Sequence, residues 1–368
     1  MKYYIIAGEA SGDLHGSNLM KAILKKDVHS EFRFWGGDLM QAVGGTLVSH
    51  YKDRAFMGFI EVIINLPKIL GLIRFCKKDI EKYKPDALIF IDNSGFNLRI
   101  AEWAKPKGYV THYYISPQVW ASRESRVAKI KATIDNMYVI LPFVKDFYEQ
   151  KHQYPVHFVG HPLLDAIAGR ALVNTYDFRE KHLLNDKPII ALLPGSRKQE
   201  IQNMLSVMLS IIDQFKDYQF VIAGAPSQEF SFYQKFIEHR DVKFIANETY
   251  DLLSLSVAAL VTSGTATLET ALFKVPQVVC YKGSEISYRI AKCIIKLKYI
   301  SLVNLIMDAP VVKELIQKDF NSKNLASELQ NILNEEKRKQ LFLDYYTLEQ
   351  KLGGAGASEK TAALITNL

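Results

Sequence analysis

Two successive series of short apolar segments run along the chain, and each segment is followed by a turn and a longer helix-like stretch. The apolar segments are rich in β-branched and aromatic residues and end near a turn-former or a polar residue. Continuous apolar runs of this length are typical of strands buried on both faces of a parallel sheet. The first series predicts strands over Tyr3–Ala7, Phe32–Trp35, Ala87–Ile91, Val110–Ile115, Met137–Leu141 and His157–Val159.

A second series begins after a polar, helix-like stretch around 168–187 that has no buried strand. It predicts strands over Pro188–Leu193, Phe220–Ala223, Val242–Ile245, Ala258–Thr262 and Gln277–Tyr281. We therefore predict an α/β protein with two doubly wound, Rossmann-like domains, 1–168 and 169–345, that face each other across a cleft. In such sheets ligands bind beyond the carboxyl ends of the strands. Function is expected in the loops after Ala7, Ile91, Ile115, Leu193, Thr262 and Tyr281.

The charge balance favours an anionic partner. The chain has 46 Lys and Arg against 39 Asp and Glu, a formal net charge of +7, which suits nucleic acid, phosphate or an acidic membrane surface. Its three scattered cysteines have no CxxC spacing, so they indicate neither a disulfide framework nor a zinc site and fit a reducing cytoplasm. No uncharged run approaches the ~18 residues of a transmembrane helix, and the N-terminus is typical of a strand rather than a signal peptide.

Three loops of the first series carry candidate site residues. Gly8–Asp13 is a glycine-containing turn at a helix N-terminus, which favours anions; the alternative is an ordinary tight turn. Asp92, at the carboxyl end of a central strand, is a candidate general base, with an Asx-turn or N-cap as the alternative. Tyr113–Trp120 precedes Arg123 and Arg126, which fits sugar or phosphate binding or, alternatively, a buried aromatic cluster beside a solvated basic face. The cleft candidates are Glu9, Ser11, Gly12, Ser116 and Trp120.

Two loops of the second series are typical of anion-binding turns. In Pro194–Arg197 a strand runs into Pro-Gly-Ser, and backbone N–H groups, the serine hydroxyl and Arg197 can together hold a diphosphate. No acidic cluster is placed to hold Mg²⁺, so the cation and the helix dipole would replace a metal. In Ser263–Glu269 small residues begin a helix, and Glu269 is placed to accept hydrogen bonds from ribose hydroxyls. The alternative is a capped helix with a solvent-facing acid. The nucleotide candidates are Gly195, Ser196, Arg197, Ser263, Gly264, Thr265, Ala266 and Glu269.

Two stretches, 59–83 and 286–297, combine apolar residues with lysine and arginine. This pattern fits an interfacial amphipathic element on anionic lipid. The alternative is a pair of surface helices whose lysine stems lie along apolar surface. The membrane candidates are Ile63, Ile64, Leu66, Ile69, Leu70 and Leu72.

Taken together, the loop sequences resemble those of the lipid-A-disaccharide synthase family, which are glycosyltransferases with two Rossmann-like domains in the GT-B fold. The resemblance covers nearly the whole chain, and the motifs are specific in this order and over this length. They are AGEASGD (Ala7–Asp13), MGFIEV (Met57–Val62), SPQVWA (Ser116–Ala121), VGHPLLD (Val159–Asp165), LLPGSR (Leu192–Arg197), SGTATLE (Ser263–Glu269) and SLVNLI (Ser301–Ile306).

The resemblance implies a reaction. UDP-2,3-diacylglucosamine would donate its sugar to 2,3-diacylglucosamine 1-phosphate (lipid X), giving lipid A disaccharide 1-phosphate with a β-1,6 bond, and UDP. Inversion at the anomeric carbon requires a base for the acceptor hydroxyl and stabilisation of the departing diphosphate. By the same resemblance, Asp92 is the base, Arg197 and Asn304 belong to the catalytic set, and 263–269 contacts UDP. No metal or other cofactor is implied.

The resemblance also implies a homodimer on the cytoplasmic face of the inner membrane, with anionic lipid but no nucleic acid as a partner. Segment 346–368 would pack back on the first domain or be exchanged between subunits. Three positions depart from the family pattern: Ser94 and Val303 stand where proline is common, and Val144 where an acid is usual. The competing interpretations are a UDP-N-acetylglucosamine 2-epimerase-like enzyme on the same fold and a non-catalytic anion-binding protein.

Overall fold

The computed structural model describes residues 1–54, 66–284 and 298–367, and these contain two separate sheets whose strands are all parallel. The first sheet consists of β1 (Lys2–Ala7), β2 (Glu31–Gly36), β3 (Thr46–His50), β4 (Ala87–Ile91), β5 (Val110–Tyr114), β6 (Asn136–Val139) and β7 (His157–Phe158). Its order is β3-β2-β1-β4-β5-β6-β7, so the direction of winding reverses between β1 and β4.

The helices of the first sheet follow its strands along the chain, as a doubly wound fold requires. They are α1 (Ala10–Lys26), α2 (Asp38–Val43), α3 (Leu66–Tyr83), α4 (Ser94–Ala104), α5 (Val119–Ser122), α6 (Val127–Thr133), α7 (Pro142–Asp146) and α8 (Pro162–Ala168). No helix among the described residues is long and apolar enough to cross a membrane.

The second sheet repeats this architecture. Its strands are β8 (Ile189–Leu193), β9 (Gln219–Gly224), β10 (Val242–Ala246), β11 (Ser256–Thr262), β12 (Gln277–Tyr281) and β13 (Lys313–Ile316), in the order β10-β9-β8-β11-β12-β13. Winding reverses between β8 and β11. The associated helices are α9 (Thr175–Lys181), α10 (Lys198–Leu209), α11 (Phe230–Ile237), α12 (Thr249–Ser254), α13 (Thr265–Leu272), α14 (Leu302–Met307), α15 (Ser322–Leu333) and α16 (Glu335–Lys351).

Every strand predicted from the sequence is present, with ends that differ by at most two residues, because the central strands are buried on both faces. All five residues of β4 and of β8 are buried, which is why their sequences read as unbroken apolar runs. Two strands were not predicted. Thr46–His50 is a partly exposed edge strand, and Lys313–Ile316 has two charged residues followed by only two apolar ones, so neither has an apolar run as long as those of the central strands.

The chain divides into two compact units, Met1–Arg170 with Leu352–Leu368, and Ala171–Lys351. Helix α16 continues to Lys351 within the second unit, so the segment that joins the first unit starts at Leu352 and not at residue 346. Its helix α17 (Ala357–Thr366) packs against α1 and α8. The Asp165 carboxylate accepts backbone N–H groups at the start of α17, including that of Ser358 at 2.8 Å.

A polar network fixes α3 to the first sheet. The Asp79 carboxylate on α3 accepts two bonds from the Arg33 guanidinium, at 2.8 and 2.7 Å, and one from the Tyr4 hydroxyl at 2.7 Å. The indole N–H of Trp35 donates to the same hydroxyl at 2.8 Å. Asp79 is only 8% exposed, so these bonds replace its lost hydration.

Candidate functional site

Two of the predicted loops meet where the winding of the first sheet reverses. The loop after β1 begins at Gly8, and the loop after β4 begins at Asp92. A Cβ atom at Gly8 would overlap the Asn93 side chain, so the loops touch and only glycine fits at that point. The Glu9 carboxylate interacts electrostatically with Asp92. The structure thus brings the candidates Glu9 and Asp92 together.

Asp92 is held rigidly in an unusual backbone conformation. Its φ is 46°, in the left-handed region that residues with a side chain rarely adopt. Its N–H donates to the Tyr114 carbonyl at 3.2 Å, and its carbonyl accepts from Asn97 Nδ2 at 2.8 Å and from the Tyr113 hydroxyl. Burial, and then the charge of Glu9, raise the pKa of the Asp92 carboxyl from 3.8 to about 6.

The remaining candidates of the first loop open α1. Ser11 is exposed, whereas Gly12 is buried and a Cβ there would lie 3.1 Å from that of Ala7. The Asp13 carboxylate accepts three backbone N–H groups at the start of α2, at 2.8 to 3.0 Å. Asp13 is therefore a helix cap, and Glu9 and Ser11 are the exposed candidates of this loop.

The loop after β5 is mostly packed into the first unit. Tyr113 and Tyr114, the last residues of β5, are fully buried, and Ser116 in the loop is only 6% exposed. The half-buried Trp120 lies edge-on against Phe143, with 4.8 Å between ring centroids. The predicted buried aromatic cluster is thus present, while the arginines that follow it remain accessible.

In the second unit, the loop after β8 is shaped by a glycine and by a folded-back glutamate. Gly195 has a φ of 112°, and a Cβ there would lie 3.0 Å from both Cβ and Oε2 of Glu200. Glu200 Oε2 accepts the N–H groups of Ser196 and Arg197, at 3.3 Å each. The Arg197 side chain is 75% exposed, and its nearest Glu200 oxygen is 3.6 Å away. The loop therefore presents an accessible cation at the start of α10.

The loop after β11 lies beside it, across the point where the second sheet reverses its winding. Gly264 has a φ of 149° and caps α13, whose first residues Thr265 and Ala266 are at least partly exposed. The Ser263 hydroxyl donates to the Ile300 carbonyl at 2.9 Å. The second unit thus gathers its two candidate nucleotide loops at one edge of its sheet.

Glu269, from the same loop, lies deeper in α13. The Tyr250 hydroxyl donates to Glu269 Oε1 at 2.6 Å. Burial raises the pKa of the Glu269 carboxyl, and the bond from Tyr250 opposes that rise. One carboxylate oxygen is therefore already used within the protein.

Asn304 holds a chain segment in place. It is 1% exposed, its Nδ2 donates to the Val312 carbonyl at 2.9 Å and to Glu314 Oε1 at 3.0 Å, and its Oδ1 accepts the Val312 N–H at 2.9 Å. The amide thus has its partners inside the second unit. The structure does not place this predicted catalytic residue at an exposed surface.

The sequence interpretation missed Glu314, the centre of this arrangement. Its carboxylate accepts the N–H groups of Ile300 and Ser301 at 2.9 to 3.1 Å, in addition to the Asn304 amide. It thereby fixes the peptide whose carbonyl binds Ser263. The only available signal was an acid in a short, otherwise unremarkable segment, Lys313–Ile316.

The membrane candidates are only partly described. Ile63 and Ile64 lie outside the described residues, as do the MGFIEV motif and the 286–297 stretch, and the structure does not describe the Leu66 side chain. Ile69 and Leu72 are half-buried. Leu70 and Phe75 on α3 are 42% and 49% exposed. Within the described residues no group of three or more His, Cys, Asp or Glu side chains could hold a metal ion.

Comparison with known proteins identifies the family. The family model described as "Lipid-A-disaccharide synthetase" matches residues 3–365. This chain belongs to the lipid-A-disaccharide synthase family. It is 39% identical to the lipid-A-disaccharide synthase of Syntrophus aciditrophicus, over 99% of this chain and 97% of that protein. It is 35% identical to that of Coxiella burnetii strain CbuG_Q212, with the same coverage.

Solved structures support the fold of this synthase family member. The S. aureus MnaA–UDP structure matches with a TM-score of 0.71 at 14% identity, over 99% of this chain and 95% of that one. UDP-GlcNAc 2-epimerase from Neisseria meningitidis, bound to UDP-GlcNAc, matches with a TM-score of 0.69 at 13% identity, over the full length of both chains. At these identities the likeness shows the shared GT-B fold alone.

Two departures from the synthase family pattern now have a structural setting. Val144 is 1% exposed, so an apolar residue fits the position where an acid is usual. Ser94 is the first residue of α4, and its hydroxyl accepts a bond from Arg126 Nη1 at 3.4 Å. The replacement of proline thus adds a hydroxyl beside Asp92.

Proposed function

We propose that this chain transfers the sugar of UDP-2,3-diacylglucosamine to 2,3-diacylglucosamine 1-phosphate with inversion at the anomeric carbon and release of UDP, and that Asp92 is the general base. The chain is a lipid-A-disaccharide synthase, a glycosyltransferase of lipid A biosynthesis. The family match over residues 3–365 sets aside the epimerase and the non-catalytic interpretations. The proposal concerns the substrates and the residues that act on them.

The geometry of Asp92 is the observation that carries this proposal. The residue stands at the carboxyl edge of the first sheet, its peptide is bonded on both sides, and the pKa of its carboxyl is raised to about 6. A base with a pKa just below the working pH is deprotonated yet retains useful proton affinity. Asp92 would take the proton of the acceptor 6-hydroxyl while that oxygen attacks the anomeric carbon of the donor and UDP departs.

The second unit would bind the UDP part of the donor. The exposed Arg197 guanidinium and the N-terminal N–H groups of α10 and α13 supply positive charge to the departing diphosphate. Glu200 would have to release Ser196 and Arg197 N–H groups for direct backbone contact with phosphate. Glu269 would accept a ribose hydroxyl with the oxygen that Tyr250 leaves unused. This arrangement needs no metal ion.

Asn304 would act indirectly in this scheme. Its amide and Glu314 fix the Ile300–Ser301 backbone, whose carbonyl orients the Ser263 hydroxyl of the nucleotide loop. We therefore treat Asn304 as a positioning residue within the proposed UDP site, rather than as a group that touches the reacting atoms.

Membrane contact and dimerisation belong to the same proposal. Leu70 and Phe75 are exposed on α3, together with the basic residues Arg74 and Lys78, and Lys77 is half-buried. Apolar and cationic side chains on one helix suit the interface of anionic lipid, where acylated substrates reside. A homodimer that exchanges the segment from Leu352 onward would use the same contacts that α17 makes with α1 and α8.

The test is a product assay by mass spectrometry with both lipid substrates in detergent, with and without EDTA. We expect the disaccharide 1-phosphate and stoichiometric UDP in both tubes. Asp92→Asn should lower kcat by about 10²–10⁴-fold, while Asp86→Asn, which changes an exposed acid at the opposite end of β4, should not. Arg197→Ala should lower kcat by about 10²-fold or more, and Lys198→Ala should have little effect. Near-normal turnover of Asp92→Asn would remove Asp92 from the role of base.

A further inference from the structure

Three arginines form a cationic cluster on the first unit that the proposed mechanism does not use. Arg99 lies on α4, while Arg123 and Arg126 lie in the turn that precedes α6. Burial, and then the charges of Arg123 and Arg99, lower the pKa of the half-buried Arg126 guanidinium. Arg126 is thus close enough to each of the other two arginines to be repelled by it.

The acidic side chains nearest in sequence pair with other side chains. Glu102 pairs with Lys129 at 2.9 Å, and Glu124 pairs with Lys151 at 2.6 Å and His152 at 3.0 Å. Within the ranges that the structure describes, no Asp or Glu forms an ion pair with any of the three arginines. An anion bound at this cluster would relieve the repulsion.

This cluster, which we call the arginine cluster (Arg99, Arg123 and Arg126), adjoins the proposed base. Arg126 Nη1 lies 3.4 Å from the hydroxyl oxygen of Ser94, the first residue of α4. Ser94 follows Asp92 by two residues, so their Cα atoms are at most about 7 Å apart, the scale of one sugar ring. The N-terminal N–H groups of the 11-residue helix α4 are additional anion donors at this point.

We propose that the arginine cluster binds a phosphate monoester, the 1-phosphate of the acceptor, and so holds the acceptor hydroxyl at Asp92. This inference rests on the proposed function and deepens it. The acceptor is favoured over the donor diphosphate because the two candidate diphosphate loops, at 194–197 and 263–269, lie in the second unit. Guanidinium groups bind phosphate by two parallel charge-assisted hydrogen bonds, which suits a terminal monoester.

The experiment compares the acceptor with its dephosphorylated form, 2,3-diacylglucosamine, in wild type, Arg123→Ala and Arg126→Ala. With the phosphorylated acceptor we expect kcat/KM to fall about 10- to 100-fold, as for loss of a charged hydrogen bond. With the dephosphorylated acceptor the same variants should stay within about twofold of wild type. Arg126→Lys should restore part of the lost kcat/KM, because lysine keeps the positive charge but lacks the two parallel N–H donors of the guanidinium.

The matched control is Lys131→Ala, which removes a cation of α6 that donates to the His152 carbonyl at 2.8 Å. It should leave both acceptors unaffected. An equal loss with both acceptors would overturn the inference, since it would show a structural role. A rise in the KM for the donor, or loss of UDP affinity, with the acceptor KM unchanged would also overturn it and assign the arginines to the donor diphosphate.

A binding measurement separates this inference from the proposed function. Glucosamine 1-phosphate, titrated calorimetrically without donor, should bind to wild type and lose its affinity in Arg126→Ala. Binding that is equal in both proteins would contradict the arginine cluster as its site. Absence of disaccharide product from the wild type, by contrast, would refute the proposed function itself, whatever the titration shows.

Discussion

Asp92→Asn should make the protein more stable while it abolishes most of the activity. A carboxyl whose pKa moves from 3.8 to about 6 on folding has its charged form destabilised by about 3 kcal/mol. The cause is burial first and the charge of Glu9 second. Asparagine has nearly the same shape and carries no charge. It should therefore raise the free energy of unfolding at pH 7.5 by up to about 3 kcal/mol.

The stability difference between Asp92→Asn and wild type should depend on pH. Above pH 6 the carboxyl is ionised in both the folded and the unfolded chain, so the whole cost is present. As the pH falls through 6 toward 3.8, the folded protein takes up the proton first and the cost is relieved. The gain in the free energy of unfolding of the asparagine variant should accordingly fall to about half its pH 7.5 value at pH 5. Over the same interval kcat/KM of the wild type should fall about tenfold per pH unit.

Urea unfolding of both proteins at pH 7.5 and pH 5, followed by circular dichroism, measures the difference. Asp86→Asn is the control, because that exposed acid lies at the amino end of β4. A stability difference that is absent, or that does not change between the two pH values, would refute the assignment of a raised pKa to Asp92. Lost activity without any gain in stability would leave Asp92 essential for another reason.

Other parts of the structure give further predictions. Asp79→Asn removes the charge and one of the two acceptor oxygens that bind Arg33 and Tyr4, and should lower the free energy of unfolding by about 2–4 kcal/mol in a urea titration; a loss below about 0.5 kcal/mol would contradict the network. Glu314→Ala should raise the KM for the donor about tenfold, with a smaller effect of Glu314→Gln, which retains one acceptor oxygen; an unchanged donor KM in both would show that the segment needs no such support. Leu70→Glu with Phe75→Glu should reduce flotation with anionic liposomes by about tenfold or more, and the equally exposed Leu39→Glu should not; unchanged flotation of the double variant would exclude this face.

The sheets could be predicted from the sequence because their central strands are buried on both faces. Residues 87–91 and 189–193 consist wholly of apolar side chains, and the structure buries each of them. Edge strands lack that signature. In Lys313–Ile316 the glutamate faces a neighbouring backbone segment instead of solvent, and no pattern within four residues indicates which partner an acid will find.

The position of the candidate site could be predicted, but the use of each polar group could not. The loops after β1, β4, β8 and β11 do lie at the two points where winding reverses, as the order of strands dictates. Asn304 carries an amide that either substrate or backbone can satisfy, and only the fold shows that Val312 and Glu314 occupy it. Such partners are far apart in sequence or lie in unpredicted strands.

Three aspartates beside the first sheet illustrate how the fold assigns some carboxylates to structure and leaves others available for chemistry. Asp13 and Asp165 each accept backbone N–H groups at the start of a helix, α2 and α17 respectively, so their carboxylates are committed to holding structure. Asp92 stands instead at the reversal point, with its backbone fixed by neighbours and its carboxyl destabilised by burial. The oxygens of these two capping carboxylates are occupied by backbone N–H groups. A carboxylate that is buried beside another acid gains proton affinity, so of these three aspartates Asp92 is the one that suits the proposed role of general base.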